Sequence, residues 1–118
     1  MTILLEGLNG VRDYLAGAMD KGQFGTAETI PAESQTGLIS PLATTLLDLD
    51  SVTSSDKSIK VNYILPSTGG TTATLTEFEV QDNANSINFD RIVITGISFT
   101  SGGTKDINVS KQYFIRQA

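Results

Sequence analysis

Two groups of oxygen-bearing side chains are the first candidates for chemistry in this chain of 118 residues. Asp48, Asp50 and Asp56 lie close together in the sequence, and such neighbouring carboxylates bind calcium or share acid and base roles in other proteins. The segment 82–88 adds one carboxylate and three amides. Neither group has the spacing of an EF-hand loop, with its central Gly and closing Glu. We therefore interpret the first group as solvent-facing acids and the second as a polar hairpin loop, and we predict no metal site.

The composition removes most catalytic mechanisms. The chain contains no His, no Cys and no Trp, so imidazole catalysis, thiol chemistry, disulfides and zinc sites built from His or Cys are excluded. Ser and Thr are abundant, but a serine nucleophile needs a neighbouring base. Glycine pairs at 69–70 and 102–103 lack the Gly-Lys-Ser/Thr sequence of a phosphate-binding loop. We predict that the protein is not an enzyme, has no catalytic residues and binds no cofactor.

The charge distribution bears on the partners. The net charge is -5, and residues 1–50 carry 2 basic and 7 acidic groups, whereas residues 51–118 carry 6 of each. No cluster of Lys and Arg exists to bind phosphates, so we expect no nucleic-acid partner. No apolar run approaches the roughly 20 residues of a membrane span, and the first residues do not read as a signal peptide. We expect no membrane partner and synthesis in a cytoplasm.

The chain that must position these groups begins with a helical pattern and continues into an irregular segment. Leu4, Leu8, Val11 and Leu15 recur at helical spacing, and we predict a short helix over 10–20. Leucines at 4, 5 and 8 either cover the core or form an oligomer contact. The segment 23–40 is rich in Gly, Thr, Ser and Pro, which favours an extended arm or long loop that lies across a neighbour.

The pattern changes to period two after residue 41. Ile59, Val61, Tyr63 and Leu65 alternate with polar residues, as in a strand with one buried face. Similar patterns follow, and we expect five to seven strands without intervening helices. This favours a mainly β fold, an antiparallel β-sandwich of jelly-roll type over 41–118, with the helix and arm of 1–40 as a contact segment.

Four passages of the sequence carry a family resemblance. Gly7–Gly17 reads GLNGVRDYLAG, Gly25–Ser40 reads GTAETIPAESQTGLIS, Leu75–Glu79 reads LTEFE, and Arg91–Ile97 reads RIVITGI. In the order of these passages the chain resembles small structural proteins of tailed-bacteriophage particles, of the capsid-decoration or tail-fibre type. The resemblance spans nearly the whole chain and implies a virion surface protein without catalytic residues.

The resemblance and the composition lead to one preferred function and two alternatives. We expect a capsid decoration (cement) protein on the phage particle surface that binds the major capsid protein and forms a homo-oligomer, with a trimer expected from family habit. The alternatives are a tail-fibre or baseplate module that binds a tail protein or host surface, and a carbohydrate-binding β-sandwich. The acidic first half would face a basic patch on the shell. The predicted partner contacts are Leu4, Leu5, Leu8, Tyr14, Phe24, Ile30, Pro31 and Leu38.

Overall fold

One α-helix and eight strands make up the part of the chain that the computed structural model describes, residues 5–55 and 57–115, with no account of the Leu5 side chain. The elements in order are α1 (Leu5–Ala18), β1 (Lys21–Gly25), a 3₁₀ turn (Ala43–Thr45), β2 (Leu47–Asp48), β3 (Ser51–Ser55), β4 (Ser58–Leu65), β5 (Ala73–Asp82), β6 (Ile87–Asn88), β7 (Ile92–Phe99) and β8 (Ile107–Phe114).

The strands form two antiparallel sheets. In the first sheet β1 lies between β2 and β5, while β6 and β7 pair with successive parts of the other edge of β5. The second sheet has the order β3-β4-β8. Their inner faces share one hydrophobic core. The predicted mainly β fold, an antiparallel sandwich with an N-terminal helix, is confirmed.

The core follows the alternation of the strand sequences. The four alternating apolar residues of β4 are all buried, and Phe78 and Val80 of β5 face them. Phe24, Tyr63 and Phe78 form an aromatic cluster with ring centroids 4.9 to 5.5 Å apart, in the tilted and edge-on arrangements that aromatic rings favour. The aromatic residues of the sandwich interior therefore serve packing rather than stacking on a ligand.

Strand β1 corrects the predicted domain boundary. It pairs with β5 over five residues, from Lys21 opposite Gln81 to Gly25 opposite Glu77, so the sandwich includes residues that we assigned to the contact segment 1–40. The strand has an unusual composition because its glycines lie in tight places. A Cβ on Gly22 would lie 2.7 Å from a Tyr63 ring carbon, closer than real Cβ contacts. Packing of β1 against the aromatic cluster thus requires glycine at position 22, and glycine in a sequence ordinarily indicates a turn rather than a strand.

The helix also differs from its predicted bounds. It begins at Leu5 instead of residue 10 and ends at Ala18. Leu8 and Met19 are buried, and Leu15 packs against the core between them. These residues show that α1 covers the core with the apolar stripe that the spacing predicted.

Asp90 connects the two sheets. Its Oδ1 accepts the backbone N–H of Val80 in the first sheet at 3.1 Å. Its Oδ2 accepts hydrogen bonds from Lys111 and Tyr113 of β8 in the second sheet. Burial and the Asp90 charge raise the pKa of the Tyr113 hydroxyl, which therefore stays protonated and donates this bond at neutral pH.

Candidate functional site

The segment between β1 and the 3₁₀ turn folds into a closed loop over the outer face of the first sheet. The N–H of Thr26 donates to the carbonyl of Ser40 at 3.0 Å, and Gly25 forms an antiparallel bridge with Pro41. Compact segments with joined ends are Ω-loops, and we call residues 26–40 the Ω-loop. The segment that we predicted as an extended arm or long loop across a neighbour thus forms a loop on the sheet of its own chain.

Glu77 anchors both ends of the Ω-loop. Its side chain projects from β5 on the side opposite Phe78 and is fully buried. The carboxylate accepts backbone N–H groups from Ala27 at one end of the loop and from Ile39 and Ser40 at the other, at 2.8 to 3.1 Å. One side chain therefore holds the entry and the exit of the loop against the sheet.

Arg91 completes this anchor. Its Nε donates to Glu77 Oε1 at 2.7 Å, and its Nη1 donates to the Thr29 carbonyl at 2.6 Å. Burial alone would raise the pKa of Glu77, but the hydrogen bonds from Arg91 and from the loop amides outweigh it and lower that pKa below its ordinary value. Glu77 is therefore ionised at neutral pH and forms a buried ion pair with Arg91.

Glu79 lies on the same face of β5 in a contrasting environment. It is 3% exposed, its Oε1 accepts from Gln81 Nε2 at 3.1 Å, and its Oε2 has no hydrogen-bond partner among the described residues. Burial raises the pKa of Glu79 to about 7, and the charges of Asp90 and Glu77 act in the same direction. Hydrogen bonds from the Leu38 amide and from Gln81 oppose the rise. Glu79 therefore changes its protonation state near neutral pH.

A cavity of about 520 Å³ lies beside Glu79, between the Ω-loop and the sheet. We call it the Ω-loop cavity. Its polar walls include Gln23, Gln81 and Asn88 from the sheet side and Thr36 from the loop. A second cavity of about 460 Å³ shares part of this wall and extends to Arg91. Side-chain amides and a titratable carboxyl at this position can bind a small polar group.

A second candidate surface lies along α1. Tyr14 is 77% exposed and lines a cavity of about 460 Å³ together with Asp13, Asp20 and Asp82. Asp20 accepts the backbone N–H of Asn83 at 2.8 Å, which connects the end of the helix to the turn after β5. We call Asp13, Tyr14, Asp20 and Asp82 the α1 face. Asp82 is 5% exposed and binds Asn85, and Asp13 pairs with Arg12 at 2.8 Å. The accessible part of this face is therefore the Tyr14 ring with the Asp13 and Asp20 carboxylates, which is suited to a basic protein surface.

The structure distributes the predicted contact residues among different environments. Phe24 is fully buried and Leu8 is 8% exposed, so both belong to the core and their prediction as partner contacts is wrong for the folded monomer. The remaining residues with described side chains are Tyr14 on α1 and three Ω-loop residues: Ile30 and Pro31, both exposed, and the half-buried Leu38. Leu4 and the side chain of Leu5 lie outside the described residues. No single surface brings these residues together, because Tyr14 and Pro31 line separate cavities.

The two groups of oxygen ligands serve local structure. Asp48 pairs with Lys21 at 2.7 Å across the β1-β2 register. Asp82 accepts hydrogen bonds from the backbone and side chain of Asn85, as in an Asx turn. Asp56 lies outside the described residues. Among the residues that the structure describes, no three acidic, His or Cys side chains form a group that could hold a metal ion.

Sequence reasoning missed Glu77, Glu79 and Arg91. The alternation of β5 places both acids on the face opposite the core, and such a face is ordinarily solvated. The missing information was the identity of the cover, which comes from a loop some 40 residues earlier in the chain. Two features of the sequence together could have indicated the covered face: two acids at alternate positions of one strand, and a long Gly- and Pro-containing segment elsewhere in the chain that needs a surface to lie on.

Comparison of the chain with protein-family models, curated proteins and solved structures gives no match. The helix in the described part of the chain is too short and too polar to cross a bilayer.

Proposed function

We propose that the protein is a structural component of a tailed-phage particle, a capsid decoration protein that binds the major capsid protein through its α1 face. The phage assignment is supported by the sequence resemblance. The observation that carries the choice of surface is Tyr14, which stands 77% exposed among carboxylates.

The chemistry of the α1 face supports a protein partner. Tyrosine is enriched at the centres of interfaces because its ring buries a large area at little cost in side-chain entropy. Asp13 and Asp20 line the same cavity as the ring, and a basic patch on a partner would complement their carboxylates and set the docking register. Such an interface weakens as salt screens the charges.

The architecture supports a role in a repeated assembly. The core and the Asp90 connection keep the two sheets together without disulfides, and the Glu77–Arg91 anchor holds the Ω-loop on the first sheet. A rigid unit loses little conformational entropy on docking. Repeated copies on a symmetric lattice, arranged as the trimer that the resemblance implies, would gain affinity from several modest contacts.

Location on the particle tests the assignment. Antibodies against this chain are used for immunogold labelling of intact particles from the phage that encodes it, and quantitative mass spectrometry gives the copy number. We expect dense labelling of heads and hundreds of copies per particle. A few copies at the tail would support the tail-fibre or baseplate alternative instead, and absence of the chain from purified particles would refute a virion role.

Point substitutions test the surface. Deleting residues 1–40 is unsuitable because it removes β1, so we choose Tyr14→Ala and, as a matched control, Phe114→Ala, which removes another exposed aromatic ring. Tyr14→Ala should weaken binding to heads that lack this protein by about tenfold or more, whereas Phe114→Ala should not. Equal binding by the two variants and no loss of wild-type binding in high salt would exclude the α1 face.

A further inference from the structure

The side-chain amides around the Ω-loop cavity donate their N–H groups to partners within the protein. Among the described residues these bonds are Gln23 Nε2 to the Leu42 carbonyl, Gln35 Nε2 to the Ile30 carbonyl, Gln81 Nε2 to Glu79 Oε1, and Asn88 Nδ2 to the Thr36 carbonyl. Each NH₂ group has two N–H donors and uses one of them in these bonds, and the amide oxygen is left as an acceptor for a further partner. The cavity wall therefore offers amide acceptors beside the Glu79 carboxyl.

Two of these amide oxygens are accessible from the cavity. Gln23 and Gln81 are about nine-tenths buried, and no described residue donates a hydrogen bond to the side-chain oxygen of either. Among described residues, the fully buried side-chain atoms without a partner are Glu79 Oε2 and Arg91 Nη2. The oxygens of Gln23 and Gln81 are not among them, so they keep access to the cavity that both residues line.

The charges around the cavity leave one carboxyl uncompensated. Glu77 pairs with Arg91, and Asp90 pairs with Lys111. The hydrogen-bond donors to Glu79 among the described residues are the uncharged Gln81 side chain and the Leu38 amide, and the charged neighbours that act on it, Asp90 and Glu77, are both negative. From the Ω-loop, Glu33 is exposed and lines the neighbouring cavity.

We propose that the Ω-loop cavity binds a primary ammonium group, in the form of a lysine side chain of a partner protein, against Glu79 and the amide oxygens of Gln23 and Gln81. An ammonium group donates three hydrogen bonds and carries one positive charge, which matches one carboxylate and two neutral acceptors. A divalent cation such as Ca²⁺ takes six or more oxygen ligands, usually including several carboxylates. The volume of about 520 Å³ also accommodates the four-carbon stem of lysine.

Occupation requires a small movement of the loop. Glu79 Oε2 is shielded from solvent, and Gly37 lies above it, since a Cβ on Gly37 would be 3.4 Å from this oxygen and 2.7 Å from Asn88 Nδ2. The part of the Ω-loop around Gly37 must shift for the ammonium group to reach the carboxylate. The base of the loop stays in place because Glu77 and Arg91 hold it.

The protonation of Glu79 makes binding depend on pH. With a pKa of about 7, Glu79 is mostly protonated at pH 6 and mostly ionised at pH 8. The ammonium group binds the ionised form, so its affinity should increase about tenfold between these two pH values. The inference concerns the isolated protein and does not rest on a role in a phage particle.

The experiment is an NMR titration of the whole protein with Nα-acetyl-lysine methylamide, a lysine side chain with blocked backbone ends. Signals of the Glu79 carboxyl carbon and of the Gln23 and Gln81 side-chain amides are followed at pH 6 and pH 8. The corresponding norleucine derivative, which lacks the ammonium group, is the control ligand, and CaCl₂ is titrated separately.

Glu79→Gln is the decisive variant, because glutamine has the size and shape of the protonated glutamate side chain. Glu28→Gln, an exposed acid of the same loop, is its matched control. We expect saturable shifts for wild type and Glu28→Gln, and binding about tenfold weaker or more for Glu79→Gln. Unchanged binding by Glu79→Gln, equal binding of the norleucine derivative, tighter binding of Ca²⁺ or no saturable shift would each overturn the proposal. Such a failure would leave the labelling experiment unaffected.

Discussion

Glu77 and Glu79 are separated by one residue on one face of β5, and their surroundings move their pKa values in opposite directions. Both are buried, and burial disfavours the charged form of each. Glu77 overcomes this cost because a guanidinium and three amides donate to it. Glu79 has fewer donors and two negative neighbours. The donors and the Arg91 charge at Glu77, and the negative neighbours of Glu79, thus set the two pKa values on opposite sides of the ordinary value.

Replacing Arg91 alone should be costly. Arg91→Met leaves the Glu77 carboxylate buried without its cation, and we expect the free energy of unfolding to fall by about 3 to 5 kcal/mol in urea denaturation. Adding Glu77→Gln should recover part of this loss, since the uncompensated charge is then removed. Lys105→Met, at an exposed position, is the control and should have little effect. A loss below about 1 kcal/mol for Arg91→Met would contradict the anchoring role.

The stability of the protein should depend on pH through Glu79. Because folding raises its pKa from 4.5 to about 7, its contribution is fully present below pH 4.5 and is lost as the pH rises through 7. Glu77 has the opposite sign: folding lowers its pKa, so its contribution is present above pH 4.5 and is lost at more acidic pH.

Urea denaturation at pH 5 and pH 8 measures the Glu79 effect. From pH 5 to pH 8 the free energy of unfolding of the wild type should fall by about 2 to 3 kcal/mol more than that of Glu79→Gln. If the free energy of unfolding of the two proteins changed equally with pH, the pKa of Glu79 would be the same in the folded and the unfolded chain, and the prediction would be wrong.

At the scale of elements, two glycines should respond to alanine in opposite ways. Gly10 lies within α1 and a Cβ there would meet nothing within 4 Å, so Gly10→Ala should stabilise the protein by about 1 kcal/mol through helix propensity. Gly22 lies in β1 against Tyr63 and Phe78, and Gly22→Ala should destabilise by about 1 to 3 kcal/mol through overpacking. Thermal unfolding measures both, and a stabilising Gly22→Ala would show that the aromatic cluster repacks freely.

The elements also show how far the sequence predicts the fold. The alternation of β4 identified its buried face residue by residue, because period two follows directly from strand geometry. Strand β1 was missed because its sequence KGQFG has one apolar side chain and two glycines, whose reason lies in contacts made after folding. Closure of the Ω-loop was missed likewise, since Glu77 and its loop partners are distant in the chain. Alternation assigns a residue to a face but carries no information on what covers that face.

At the scale of the whole molecule, the N-terminal segment and the sandwich should unfold together. Deleting residues 1–40 removes the strand that β2 and β5 share, so we expect a chain without a cooperative urea transition or near-UV circular dichroism from the aromatic cluster.

A shortened loop is the matched comparison. Replacing residues 28–38 with Gly-Ser-Gly keeps Ala27, Ile39 and Ser40, the three amides that bind Glu77. This variant should keep a cooperative transition at reduced stability. If the 1–40 deletion folded as cooperatively as the shortened variant, the sheet order described above would be wrong.

The joined ends of the Ω-loop make its tip a site for grafting. Residues 30–34 are all exposed, and Glu33 and Ser34 form a turn between the two anchored ends. A foreign peptide inserted between Glu33 and Ser34 would be held at both ends by the contacts of Glu77 and Arg91, which do not depend on the sequence of the inserted peptide. Each doubling of loop length adds only about 0.6 kcal/mol of closure entropy, so epitopes of varied length and randomised libraries can be displayed there without redesign of the scaffold.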